Sequence, residues 1–207
     1  DAMGPDDTFR SIHGLVRVPK DLVFAVTPSP GPNENPSPPP AGPEWPVAGA
    51  EVFVADAAGT RVPGVPRVQT NPDGRYRLAG VPIGYAYVVT AVYIGAGNRR
   101  LRLRALAQPN AADEALDLGT ATTIATDQAL LGLSGLIGRF DAAAYQRAVA
   151  ALDKVLAAGG YPDLADPFLV DEARKRAEAA EAALPADLAT LRGAFASSPP
   201  GPPPSAS

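Results

Sequence analysis

The stretch "TNPDGRYRLAGVPIG", Thr70 to Gly84, decides how the rest of the chain is read. Asn71-Pro72-Asp73-Gly74 carries what a tight turn needs: Pro fixes φ, Asp bonds back to the backbone, and Gly accepts positive φ. The run that follows alternates, with Tyr76 and Leu78 on one face and Arg75 and Arg77 on the other. Pro82 and Gly84 then make a second corner ahead of the longest apolar run, Tyr85 to Ile94. This is a hairpin-and-corner unit of an antiparallel β structure.

The same grammar extends in both directions. "IHGLVRV", "LVFAVT", "AEVFVAD", a loose run ending in "RVQT", "RRLRLRALA" and "ALDLG" are short alternating runs between Gly, Pro, Asn and Asp. Turn signals recur about every ten residues, as in a β-sandwich. From Thr122 onward Ala-rich helical spacing takes over. "TTIATDQALLGLSGLIGRF" reads as a first helix, weakened by Gly132, Gly135 and Gly138. In "DAAAYQRAVAALDKVLAAGG", Asp141 caps and Gly159-Gly160 terminates. "DPFLVDEARKRAEAAEAAL" has Asp166 as cap and Pro167 at the first helical position, with mixed charges along a solvated face. Pro185 breaks that run before a last helical turn.

The reading is therefore mainly β: an antiparallel sandwich over residues 11–120, then a C-terminal α-helical hairpin or bundle over 121–196. Residues 1–10 form an amino-terminal segment. A Pro-rich insertion at 28–46 interrupts the sandwich as an extended excursion, and 197–207 is a Pro-rich tail expected to stay disordered.

Within this frame, "HGLVRV", "VAGAEVFVADAAGTRVPG" and "TNPDGRYRLAGVPIGYAYVVTA" together resemble the carboxypeptidase regulatory-like domain family. The matching positions are Gly14, Val16, Gly49, Ala50, Val52, Thr70, Asp73, Gly74, Tyr76, Leu78, Gly80, Pro82 and Gly84. The resemblance covers about Ser11 to Ala107 and implies a prealbumin-like (transthyretin-like) sandwich. "LDLGTATTIATDQAL" is similar to a Thr-Thr element that follows such modules in bacterial envelope proteins. Members are non-catalytic modules appended to peptidases, transporters or surface proteins, so the resemblance implies a scaffold role. The insertion between the first strands and the helical part depart from the family pattern.

Composition narrows the chemistry. A net charge of −4 argues against a nucleic-acid binder, which needs a basic excess. The chain has no Cys and one His, so thiolate chemistry is excluded and no metal site or cofactor is expected. It has no apolar run long enough to span a membrane. It opens on Asp1 rather than Met, which fits a removed secretory leader, and the resemblance implies a bacterial secreted or cell-envelope location.

No catalytic set is recognisable, and the chain is not expected to be an enzyme. His13 reads as structural, and Ser134 in "GLSGL" lacks the strand and His partner of a nucleophile elbow. Asp6 and Asp7 do not have calcium-loop spacing.

Two groups are candidate binding residues. Arg100, Arg102 and Arg104 alternate with Leu101 and Leu103, placing three guanidiniums on one face of one strand, with Arg75 and Arg77 on a similar face. They suit an anionic glycan or cell-wall polymer, or else a solvated face paired with the chain's own acids. Tyr85 and Tyr87 could stack on sugar rings or pack in the core, and Trp45 could do so or anchor the insertion. The leading function is a scaffold or adhesion protein whose partners are other copies or envelope proteins, assembling through exposed strand edges or by exchange of the early strand. The alternative is a carbohydrate or anionic-polymer binding module that uses the Arg-lined face.

Overall fold

The computed structural model describes residues 8–23, 42–109, 112–131, 133, 135, 137, 138 and 140–197, the last four as backbone alone. The amino-terminal segment up to residue 7, most of the Pro-rich insertion, the last four residues of "LVFAVT", Ser134 and the Pro-rich tail beyond residue 197 lie outside the described residues. Nine strands and four helices are present among the described residues. The strands are β1 (Phe9–Leu15), β2 (Arg17–Pro19), β3 (Glu44–Pro46), β4 (Glu51–Ala55), β5 (Val68–Gln69), β6 (Arg75–Pro82), β7 (Tyr87–Ile94), β8 (Arg100–Ala107) and β9 (Glu114–Ala115). The helices are α1 (Thr120–Ala129), α2 (Ala142–Gly159), α3 (Pro167–Ala180) and α4 (Leu184–Ser197). The helices hold more residues than the strands, so the chain as a whole is mixed α and β rather than mainly β.

The strands form three sheets, ordered β6-β1-β9, β2-β3 and β5-β4-β7-β8. All pairings are antiparallel except β1 with β9, which is parallel. Ile12 and Leu78 of the three-stranded sheet share one hydrophobic cluster with Val52, Val89, Leu101 and Leu103 of the four-stranded sheet. Each such side chain taken from water contributes about 1.5–3 kcal/mol, which holds the two sheets together.

The opening stretch builds the corner of this cluster. Gly74 sits at φ +78°, and a β-carbon there would lie 2.6 Å from Cβ of Pro46, so no other residue fits. Asn71, rather than Asp73, holds the turn: its Oδ1 accepts from the N–H groups of Asp73 and Arg75 at 3.0 and 2.9 Å. The buried Thr70 hydroxyl accepts from Ala50 N–H at 2.9 Å and donates to the Val47 carbonyl at 2.6 Å, tying the turn to the start of β4. The Tyr76 hydroxyl donates to the Leu116 carbonyl at 2.5 Å. Between Arg10 and Ile12 the β1–β6 register slips by one residue, a β-bulge on β6 at Ala79–Gly80, where Gly80 has φ +71°.

The helical part packs onto the outer face of the four-stranded sheet at one end. Val88 and Leu106 belong to the same cluster as Ile124, Tyr145, Leu152, Leu156 and Leu188 of the helices. Asp141 caps α2 by accepting from Ala144 N–H at 3.0 Å, and Gly160, at φ +95°, ends it. Asp166 caps α3 ahead of Pro167, and Pro185 lies in the first turn of α4, opening that helix as well as separating it from α3.

The first helix departs from expectation. It stops at Ala129 instead of running on to Phe140. Gly135 takes φ +78°, and Ile137 instead pairs with Ala86 as a β-bridge, its carbonyl accepting from Ala86 N–H at 2.7 Å. Gly135 serves a chain that returns to the sheet.

Candidate functional site

β8 is an edge strand, and its outward face carries the basic stripe. Leu101 and Leu103 are buried while Arg100 and Arg102 are exposed, as the alternation requires. Directly across on β7 stand Ile94, Val92 and Thr90, opposite Arg100, Arg102 and Arg104 in turn. The next residue of that face, Leu106, lies under the helices. The stripe thus runs from open solvent at Arg100 into the helix–sheet junction.

The three arginines have different fates. Arg104 donates to Asp127 of α1 at 2.8 Å, and its side chain is only 12% exposed. Burial pushes the Asp127 carboxyl up against the downward pull of Arg104 and then Arg102, and burial likewise lowers Arg104. This pair docks a helix. Arg100 and Arg102 form no ion pair among the described residues and remain the outward cations of the stripe.

The free edge of β8 is closed by side chains. Arg104 N–H donates to Thr123 Oγ1 at 3.0 Å, Leu106 N–H to the Tyr145 hydroxyl at 3.0 Å, and Gln108 N–H, just beyond the strand, to Glu114 Oε2 at 2.9 Å. Tyr145 is buried, its phenol is pushed up to about 12, and it also shares a 3.0 Å bond with Thr126 Oγ1. Burial outweighs the Gln108 hydrogen bond and raises Glu114. From Arg104 onward, alternate edge donors are thereby satisfied from α1, α2 and β9, so this half of β8 offers no open template for an added strand.

The remaining sequence candidates fall elsewhere. Arg75 and Arg77 lie on β6 of the other sheet, outward from the shared cluster that receives Tyr76 and Leu78, so they form no patch with the β8 stripe. Arg77 donates to Ser11 Oγ at 3.1 Å and to Asp113 at 3.4 Å, while Arg75 has no ion pair among the described residues. Tyr87 is fully buried and donates to the Pro82 carbonyl at 2.8 Å. Tyr85 packs against the same cluster, with ring centroids 6.3 Å apart. Trp45, half-buried on β3, donates from Nε1 to the Gly42 carbonyl at 3.1 Å, which fits the anchoring role. β1 lies between β6 and β9 of its own chain.

Besides a hollow of about 360 Å³ beside Arg75 and Arg77, three border the stripe or the helices. A groove of about 660 Å³ opens where β7 runs past the start of β4, lined by Val23, Val47, Val92, Ile94 and Arg100. A cleft of about 370 Å³ lies between the sheets and α2, with Arg17, Glu44, Asp117 and Asp153 in its walls. There Glu44 Oε1 accepts from Thr120 N–H at 3.0 Å, capping α1 from β3, and burial raises its carboxyl despite the bonds to Thr120. The third, about 290 Å³, lies between Arg102, α1 and α3.

Sequence reasoning missed Glu44, Gln128 and Arg174 as neighbours of these sites. Glu44 is over seventy residues from the helix it caps, and "DEARKRAEAAE" looks solvated until α3 is docked. No group of acidic and His residues that could hold a metal ion occurs among the described residues, and no helix is long and apolar enough to cross a membrane.

No family model matches the chain, and no curated protein matches it. Two solved structures are similar at a low level. The major pilin subunit of Bacillus cereus matches at 13% identity over 54% of this chain and 29% of the pilin, with a TM-score of 0.29. A 9R-lipoxygenase from Cyanothece matches at 11% identity over 86% of this chain and 30% of the enzyme, with a TM-score of 0.24. The chain spans less than a third of the length of either, and neither likeness bears on its function.

Proposed function

We propose that this chain is a non-catalytic scaffold module of a bacterial secreted or cell-envelope assembly, prealbumin-like in its β part, that holds a partner instead of transforming one. The observation that carries this reading is where the motif residues are spent. Thr70, Asn71, Gly74 and Tyr76 are each committed to turns or to bonds between elements. Arg100 and Arg102, outward on the face of β8, form no ion pair among the described residues. Helices docked on the sheet and on the end of the β8 edge make a stiff body for presenting such a face.

Self-association by strand addition is the narrower form of this proposal. At the end of β8 it would require displacing α1 and α2, and at β6 it would meet the Gly80 bulge, so these two edges disfavour it there. The second reading, an anionic cell-wall polymer as partner, is supported by Arg100 and Arg102 standing side by side without an ion pair among the described residues.

Co-sedimentation with purified bacterial envelopes at low and high salt tests both readings. The scaffold reading predicts that the chain sediments with envelopes. The polymer reading adds that salt and the Arg100→Ala/Arg102→Ala double variant release it. A chain that stays in the supernatant at low salt would overturn the proposal.

A further inference from the structure

We infer that the cleft between β8, α1 and α3 is a binding site for a carboxylate carried on a short apolar stem. Arg102 reaches it from the sheet, Gln128 from α1 and Arg174 from α3, so the site exists only because the helices dock. At about 290 Å³ it is at the small end of pockets that enclose a ligand, which fits a small acid or one terminal residue rather than a polymer.

The pairing of the lining residues points to an anion. Asp127 and Asp171 also line the cleft, and both are paired. Asp127 is held by Arg104 at 2.8 Å, and Asp171 by Arg174 at 2.6 Å and Lys175 at 3.0 Å. Arg174 is shared with Glu178 at 2.8 Å, whereas Arg102 forms no ion pair among the described residues and is the lining fork left open to a carboxylate. One further donor adds to it. Gln128 uses Oε1 to accept from Arg192 at 3.1 Å, which leaves its NH₂ free to donate.

The remaining wall selects the stem. Ile124, Leu164, Pro167 and Val170 are apolar and would bury a short hydrocarbon chain. Inorganic phosphate would satisfy the fork but leave this wall wet, and an amine would face Arg102. This site shares Arg102 with the polymer reading, but Arg100 lines the separate groove at the end of β7 and serves that reading alone.

The test is an NMR titration of the ¹⁵N-labelled intact chain with hexanoate, with hexylamine and inorganic phosphate as comparators. Hexanoate is expected to shift the amide signals of Thr123, Gln128 and Val170 saturably. Arg102→Gln should weaken binding about tenfold or more, as loss of a charged hydrogen-bond partner does, while Arg100→Gln leaves it unchanged. The inference is overturned if hexanoate produces no saturable shift, if hexylamine or phosphate binds as well, or if Arg102→Gln, verified as folded by its spectrum, binds like the parent chain. Envelope sedimentation lost in Arg100→Gln with hexanoate binding intact would separate this site from the polymer reading and support it.

Discussion

Replacing Tyr145 by Phe isolates the contact that joins the helices to the sheet. The ring stays, and its edge-on packing against Phe140, with centroids 5.6 Å apart, is retained. The hydroxyl alone is lost. With it goes the acceptor for Leu106 N–H on the β8 edge and the partner of Thr126 Oγ1, both in buried surroundings. An orphaned buried donor costs about 1–3 kcal/mol and the lost hydroxyl pair about 1 more, so the variant should lose about 2–4 kcal/mol. With a urea m-value of about 2.5 kcal/mol/M for a chain of this size, the midpoint should fall by about 1 M or slightly more. Trp45, the single tryptophan, is the fluorescence probe, with circular dichroism following the helices. The control is Tyr161→Phe, whose hydroxyl bonds only the exposed side of Asp153 and should shift stability by less than about 0.5 kcal/mol. A Tyr145→Phe midpoint within about 0.2 M of the parent at unchanged m would refute the argument that this hydroxyl seals the edge.

Further outcomes follow from other residues. Gly74→Ala should cost about 2 kcal/mol or more, since it adds a left-handed penalty to a collision with Pro46 and Val47, and thermal melting measures it. Glu44 has a folded-state pKa raised above its ordinary 4.5, so its ionisation favours the unfolded chain and stability falls as pH rises from about that value through the folded pKa. Glu44→Gln keeps a carbonyl oxygen for Thr120 N–H and should flatten that part of the stability–pH curve; a curve unchanged in shape would show that Glu44 carries no such cost. Asp127→Asn leaves the buried Arg104 guanidinium with a weakened partner and should lower the urea midpoint more than Asp113→Asn, whose pair with Arg77 is exposed.

Local chemistry was the part of this fold that the sequence made legible. The Asn71–Gly74 turn, the in–out alternation of β6 and β8, the Asp141 and Asp166 caps and the Gly160 stop each depend on residues within a few positions of one another, which is the range over which propensity acts. What was not legible depends on distance in the chain. Glu44 capping α1 and Thr123 and Tyr145 closing β8 are pairings that exist only after packing. The end of α1 at Ala129 was misjudged because helical spacing continues past it, while the bridge from Ile137 to Ala86 that wins is a tertiary contact. The basic stripe was visible as a stripe, but only the docked α1 separates Arg104, a structural cation, from Arg100 and Arg102.

Native-state hydrogen exchange of the β8 edge amides addresses the central claim, that docked helices seal this edge and leave the neighbouring face for a partner. The account predicts that Arg104 and Leu106 exchange as slowly as the amides of β7 in the middle of the sheet, and that Arg100 and Arg102 exchange faster. Rapid exchange at Arg104 and Leu106 under native conditions would mean an open edge and would contradict it.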